Sequence, residues 1–143
     1  MKSMYAISRA QALYRAEHSQ DTEIAPCHFS FVFTISKNPG LSQEEIAREL
    51  SLNKSTVARA LGQLEERGLV DRRGAEGDRR VLLVYPTEKM LRLLPRLREI
   101  TKEWNSLIEE GISQEELSVF LSVLHKMEEK AKNIVRGGEA CEK

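Results

Sequence analysis

Cysteine is scarce in this chain: Cys27 and Cys141 are the only two in 143 residues, too few and too badly spaced for a disulfide framework. Cys141 sits in the polar tail GGEACEK, and the pattern fits a reduced, cytoplasmic setting. Long apolar runs are missing too. No stretch approaches the ~20 residues of a membrane span, and the start, MKSMYAISRAQALYRAEHS, lacks the continuous apolar core of a signal peptide. A membrane partner is therefore not expected. Also absent are G-x-S-x-G, the P-loop, G-x-G-x-x-G and H-E-x-x-H, and none of the three histidines lies near a plausible nucleophile in sequence. No catalytic residue and no cofactor can be assigned, and the chain reads as a non-enzyme. Glu17, His18, Asp21, Glu23, Cys27 and His28 cluster in sequence, but without H-x-x-x-H or C-x-x-C spacing they point to no metal.

Charge of one sign is lacking overall, with 22 basic and 22 acidic residues giving a formal net charge of zero. That total argues against a nucleic-acid partner but hides a segregation. Lys89, Arg92, Arg96, Arg98 and Lys102 stand against Glu99 alone, and seven glutamates between Glu103 and Glu129 then face Lys126. Such a chain can offer a polyanion its basic part.

What is present is mostly helical pattern. Residues 3–19 space Met4, Ile7, Ala10 and Leu13 for contact. Pro26 suits the first turn of a second helix, CHFSFVFTISKN, apolar nearly all round and ended by Asn38-Pro39-Gly40. Ser42 and Glu45 form a capping box for a third helix with Ile46, Ala47 and Leu50 inward. Only Ser51-Leu52-Asn53 precedes a fourth, with Asn53 as N-cap, which makes a helix-turn-helix. Gly68 signals its C-cap, with Leu69 the hydrophobic partner. LVDRR and RRVLLVY then read as two strands around a loop holding Gly74 and Gly77. Thr87 caps a long helix to about Glu110 that buries Leu91, Leu94, Leu97, Ile100, Trp104 and Leu107 and carries a kink at Pro95. Ser113 and Glu116 box the last helix, which runs to about Val135 with a stripe from Leu117 to Val135 fit to pair with another helix.

The fourth helix, in SLNKSTVARALGQLEERGLV, has two unlike sides. At about 100° per residue, Val57, Ala60, Leu61 and Leu64 share the core face. Opposite stand Ser55, Ala58, Arg59 and Gly62, with Thr56 and Gln63 at the margin. That outer face is small and free of acid until Glu65 and Glu66, so a negatively charged surface could approach its backbone.

NPGLSQEEIARELSLNKSTVARALGQLEERGLVDRR resembles the helix-turn-helix of the multiple antibiotic resistance regulator (MarR) family of bacterial transcription factors. GDRRVLLVYPTEK resembles that family's wing, whose signature is D-x-R, five residues, then Leu-Thr. Asp78, Arg80 and Thr87 match it, and Pro86 stands where the signature has Leu. The resemblance implies a mainly α fold with a small two-stranded β-wing: a winged helix-turn-helix of residues 27–94 between dimerisation helices at 3–19 and 96–135, with 136–143 a flexible tail. It further implies a triangular homodimer that places one winged helix per subunit on double-stranded DNA, most often as a repressor.

Within that frame Lys54, Ser55 and Thr56, behind the Asn53 cap, face phosphate at a helix start, and Arg59 one turn on can read a guanine edge. Ser42 and Gln43 are phosphate candidates at the preceding helix start. On the wing, Arg80 and Arg79 suit the minor groove, Asp78 would hold Arg80, and Arg72 and Arg73 would meet phosphates. The resemblance also implies an aromatic or phenolic effector, for which Tyr14, His28, Phe29, Phe33 and Trp104 could line a crevice; the same aromatics could equally fill the core. Cys27, near the second helix start, is open to a redox role or to burial as a small side chain. A winged helix used only for protein contacts is the remaining alternative, though it needs no arginines on both helix and wing.

Overall fold

The computed structural model describes residues 2–139, apart from the side chains of residues 78–80 and 135–139. The chain divides into two compact units, Met1–Trp104 and Asn105–Lys143.

In the first unit, α1 (Lys2–His18) leads through a single 3-10 turn, Pro26–His28, into α2 (Phe29–Lys37). Then come β1 (Leu41–Ser42), α3 (Gln43–Leu50), α4 (Lys54–Glu66), β2 (Val70–Ala75), β3 (Asp78–Pro86) and α5 (Glu88–Ile108), whose end passes the boundary. The core gathers around α2, as its apolar run predicts: Phe29, Val32 and Ile35 are fully buried and meet Ile46 of α3, Leu61 and Leu64 of α4, and Met90, Leu97 and Ile100 of α5 in one cluster.

Local chemistry sets the boundaries. The Ser42–Glu45 capping box is present, and Asn53 Oδ1 accepts from the Thr56 amide at 2.8 Å to start α4. Gly68 takes φ +66°, and the Leu69 amide returns to the Leu64 carbonyl at 2.9 Å, which closes α4 and buries Leu69 beneath it. Thr87 Oγ1 accepts from the Met90 amide at 3.2 Å and so caps α5. The helix is continuous through Pro95.

The two-stranded wing, β2 and β3, is present, and the structure extends or corrects the other expectations. β1 adds to β3, giving a three-stranded antiparallel sheet of order β1-β3-β2, with Leu41 opposite Val84 and Val70 opposite Pro86. A two-residue strand is too short to show alternation, so only the fold discloses it. The hairpin loop is tighter than the sequence suggests, because Gly74 and Ala75 stay in β2 through a register irregularity between them. On α5 the inward stripe runs through Met90, Leu94, Leu97 and Ile100, which turns Leu91 outward at 45% exposure. Trp104 is half-buried and Leu107 is exposed. Along α1 nothing is buried, Met4, Ile7, Ala10 and Leu13 included.

The second unit contains the end of α5 and α6 (Gln114–Glu139). Gly111, at φ +78°, ends the preceding turn, and Ser113 and Glu116 cap α6 reciprocally. The helix continues past Val135 through Gly137 and Gly138, since propagation adds one bond per residue once a nucleus exists. Residues 140–143, with Cys141, lie outside the described residues.

The α4 cap gives a direct check. Asn53→Ala should lower stability by about 0.5–2 kcal/mol in urea denaturation, without changing the slope of the transition.

Candidate nucleic-acid interface

The turn between α3 and α4 brings two helix starts side by side. Ser51 takes φ +53°, and the Leu52 amide returns to the Ala47 carbonyl at 2.9 Å, so the chain reverses within three residues. Lys54 of α4 pairs with Glu44 of α3, and Gln43 Nε2 reaches the Lys54 carbonyl at 3.4 Å. Ser42, Gln43, Asn53, Lys54, Ser55 and Thr56 therefore gather along one edge. Several are already engaged there: Ser42 Oγ donates to Glu45 at 2.7 Å, and Ser55 Oγ donates to Asn53 Oδ1 at 2.8 Å.

Beyond that edge α4 is divided as its pattern predicts. Val57, Leu61 and Leu64 are fully buried, while Ser55, Thr56, Arg59 and Gln63 are exposed and Ala58 and Gly62 half-exposed. A β-carbon added at Gly62 would meet nothing within 4 Å. The fold of this chain thus gives no steric reason for glycine there, although glycine in a helix interior costs about 1 kcal/mol against alanine.

The wing is tied to the same helix. Arg72 of β2 is drawn onto Glu65 of α4, its Nε 2.9 Å from Oε2. The late acid of α4 thus fixes the sheet, a role that its place in the sequence does not reveal. Arg73 is exposed, with its guanidinium 5.0 Å from the Tyr85 ring centre and 3.4 Å from Asp71. Tyr85 in turn lies against Gly40, where a β-carbon would come within 3.1 Å of its hydroxyl. The backbone of Asp78, Arg79 and Arg80 belongs to β3, but their side chains lie outside the described residues.

The aromatic candidates do not form one group. Tyr14 packs on Trp104 with centroids 5.4 Å apart and stacks on His18 at 3.8 Å. Phe29 and Phe33 meet edge to face at 6.2 Å, and the Arg15 guanidinium lies 4.9 Å from the Phe29 ring centre. Arg15 Nε is buried without a hydrogen-bond partner, and burial lowers the pKa of the guanidinium. His28 instead meets Phe31, and burial, together with the Arg67 charge, holds its imidazole below the ordinary value. Cys27 is exposed in the 3-10 turn, so the reading of it as a buried small residue is wrong. The basic block of the sequence is also dispersed: Lys89 pairs with Glu23, Arg92 with Glu88, and Arg96 with Asp21 and Glu99. Helical spacing and the α1–α2 connection bring acids to these cations, which linear counting misses. Among the described residues no cluster of His, Cys, Asp and Glu could hold a metal, and no helix is long and apolar enough to cross a membrane.

Against known proteins, residues 24–81 match the model of the MarR family. The helix-turn-helix-type transcriptional regulator YybA of Bacillus subtilis is 27% identical over 124 residues, 87% of this chain and 81% of that protein. Over residues 24–81, the helix-turn-helix and the start of the wing, this chain is similar to the MarR family. A MarR transcriptional regulator from Methanosarcina mazei has a similar structure, with a TM-score of 0.86 at 27% identity over 93% of this chain and 96% of that one. A MarR family regulator from Listeria monocytogenes, solved in complex with a 26mer DNA, has the same fold with a TM-score of 0.90 at 22% identity, covering 99% of this chain and 95% of that one. The fold is shared with transcriptional regulators of the MarR type.

The carboxylates that hold this interface together make its stability depend on pH. Hydrogen bonds from Arg72 to Glu65, from Lys54 to Glu44 and from the Ser42 amide to Glu45 hold all three below the ordinary carboxylate value. Protons then bind the unfolded chain more readily than the folded one, so the stabilisation is present above that ordinary value and is lost as pH falls through the lowered native values. Urea midpoints should decline on acidification to about pH 3, and Glu65→Gln should flatten that decline.

Proposed function

We propose that this chain is a MarR-type transcriptional regulator that binds double-stranded DNA sequence-specifically as a homodimer on an inverted repeat, with α4 in the major groove and the β2–β3 wing at the minor groove. The observation that carries the reading is the outer face of α4: exposed, acid-free over its first turns, and left with an open glycine that its own fold does not use. The Listeria regulator, of the same fold and solved with DNA, supports it.

Arg59 reads a guanine edge. Lys54, Ser55 and Thr56 meet phosphate at the α4 start, with Asn53, Ser42 and Gln43 on the adjoining edge and Arg73 at the base of the wing. Arg80 and Arg79 enter the minor groove, with Asp78 orienting Arg80. Arg72 serves the site indirectly, by holding the wing to Glu65. Dimerisation uses the terminal helices: Tyr5, Ile7 and Leu13 of α1 and Phe120, Leu121 and Ile134 of α6 all leave about half or more of their surface exposed in the single chain. Repression by occupancy of a promoter is the regulatory outcome we assign, because repression is the commoner outcome among relatives.

An aromatic acid is the effector chemistry that fits best. Arg15, half-buried with an unpartnered Nε, would meet its carboxylate, beside the rings of Phe29 and Phe33. A thermal-shift series with benzoate-type acids should raise the melting temperature of the wild type and not of Arg15→Leu. Equal shifts in both would remove Arg15 from the effector site.

Selection on a random duplex library should recover an inverted repeat with half-sites roughly 10 base pairs apart. Arg59→Ala should weaken binding by about 1–3 kcal/mol and relax one position per half-site. Gly62→Ala should stabilise the free protein by about 0.5–1 kcal/mol while weakening its DNA complex. Affinity should fall steeply with salt, through counterion release. A lone subunit that ignores every duplex at low ionic strength would overturn the proposal.

A further inference from the structure

The α1–α2 connection is held in an unusual way. Glu23 takes φ +57°, a left-handed conformation that L side chains rarely adopt. Its carboxylate accepts from Lys89 Nζ at 2.7 Å, the same ammonium donates to the Arg67 carbonyl at 3.0 Å, and the Arg67 guanidinium donates to the Glu23 carbonyl at 2.7 Å. These contacts close a ring through three elements: the connection, the C-cap of α4 and the first turn of α5. Arg96, two turns further along the same face of α5, donates to the His18 carbonyl at 3.2 Å and to Asp21 at 3.3 Å. Both ends of the connection are thereby fastened to one helix.

We propose that Glu23 and Lys89 are positioning residues for DNA binding: the Glu23–Lys89–Arg67 ring pins the exit of α4 to α5 and to the α1–α2 connection, so that the outer face of α4 is presented at one angle. This rests on the reading of α4 as the DNA-contacting helix. The ring is poorly suited to holding the fold together, because the Glu23 and Lys89 side chains are 66% and 43% exposed, and exposed ion pairs add little to global stability. Its placement is better suited to orientation. The ammonium sits on the carbonyl of the α4 C-cap, Arg67, where the helix dipole favours a cation, and the hydrogen bond from Lys89 lowers the pKa of the Glu23 carboxyl. The core fixes how deeply α4 is seated, and a contact at its C-cap limits rotation about that seat.

The test uses the full chain as wild type, Lys89→Met, Lys89→Arg and Glu23→Gln. Three properties are measured: amide hydrogen exchange at residues 65–69, melting temperature, and affinity for a 30-base-pair duplex selected on the wild type from a random library. Lys89→Met should speed exchange at the α4 exit and weaken binding about three- to thirty-fold, with little change in melting temperature. Glu23→Gln should lie between it and wild type, and Lys89→Arg should restore both properties. The salt dependence of binding should keep its slope in Lys89→Met; a slope reduced by about one would make Lys89 a phosphate contact and overturn the positioning role. Unchanged exchange and affinity in Lys89→Met would overturn it as well. If the wild type selects no duplex, the DNA reading fails, and the exchange data alone decide whether the ring pins α4.

Discussion

Whichever face of α4 the core takes up, the opposite face is what the molecule has to offer, and the burial of Val57, Leu61 and Leu64 settles that choice. Full burial of a leucine side chain is worth about 1.5–3 kcal/mol, so rotating α4 by even a third of a turn would expose more apolar surface than a marginally stable unit can spare. The cap at Asn53, the tight turn at Ser51 and the reversal at Gly68 then set where the helix begins and ends. None of them chooses the face. Hydrophobic burial and local hydrogen bonding thus act on different degrees of freedom, rotation for one and length for the other. A presented surface needs both.

That division explains what could be read from the sequence. Capping signals are local: Ser42 with Glu45, Ser113 with Glu116, and Asn53 ahead of Thr56 each put partners within three residues, and all three form. The buried stripe of α4 follows from period alone, and the burial of α2 from its near-continuous apolar run. Failures concentrate where the deciding contact is distant or the element too short for a period. Leu41 and Ser42 form a strand only because β3 lies beside them, and Ser51 adopts a left-handed turn usually marked by glycine. Leu91 looks inward by spacing, yet Met90 takes the buried place and sets the phase of α5. The outer face of α4 was legible residue by residue, whereas the commitment of Arg72 to Glu65 was not, because nothing in the sequence shows that the wing folds back onto the end of that helix.

Electrostatics shows the same contrast more sharply. Counted along the chain, Lys89 to Lys102 is a basic block; in space Lys89, Arg92 and Arg96 are each drawn to an acid. Linear charge runs overstate surface potential wherever a helix brings its own i+3 and i+4 neighbours, or another segment, to the charges. Arg15, by contrast, sits against the Phe29 ring and is penalised by burial. Lys54, Arg72 and Arg73 are drawn to acids in the same way, so the exposed Arg59 of α4 weighs more in the functional reading than the richer basic block on α5.

Gly62 and Gly40 separate two reasons for having no side chain. At Gly40 the chain needs φ +88° and the Tyr85 ring fills the space, so its own fold excludes a β-carbon. At Gly62 the helix is regular and the space is empty, so alanine would fit and strengthen the helix. A residue that weakens its own helix and relieves no clash within its own chain is explained by something outside the chain that comes close to the backbone there. The same face carries Arg59 and no acid until Glu65, and Glu65 is neutralised by Arg72. On the proposed reading, the approaching surface reaches the backbone at Gly62 and is negative enough to seek Arg59, which a major groove satisfies and a neutral protein surface does not.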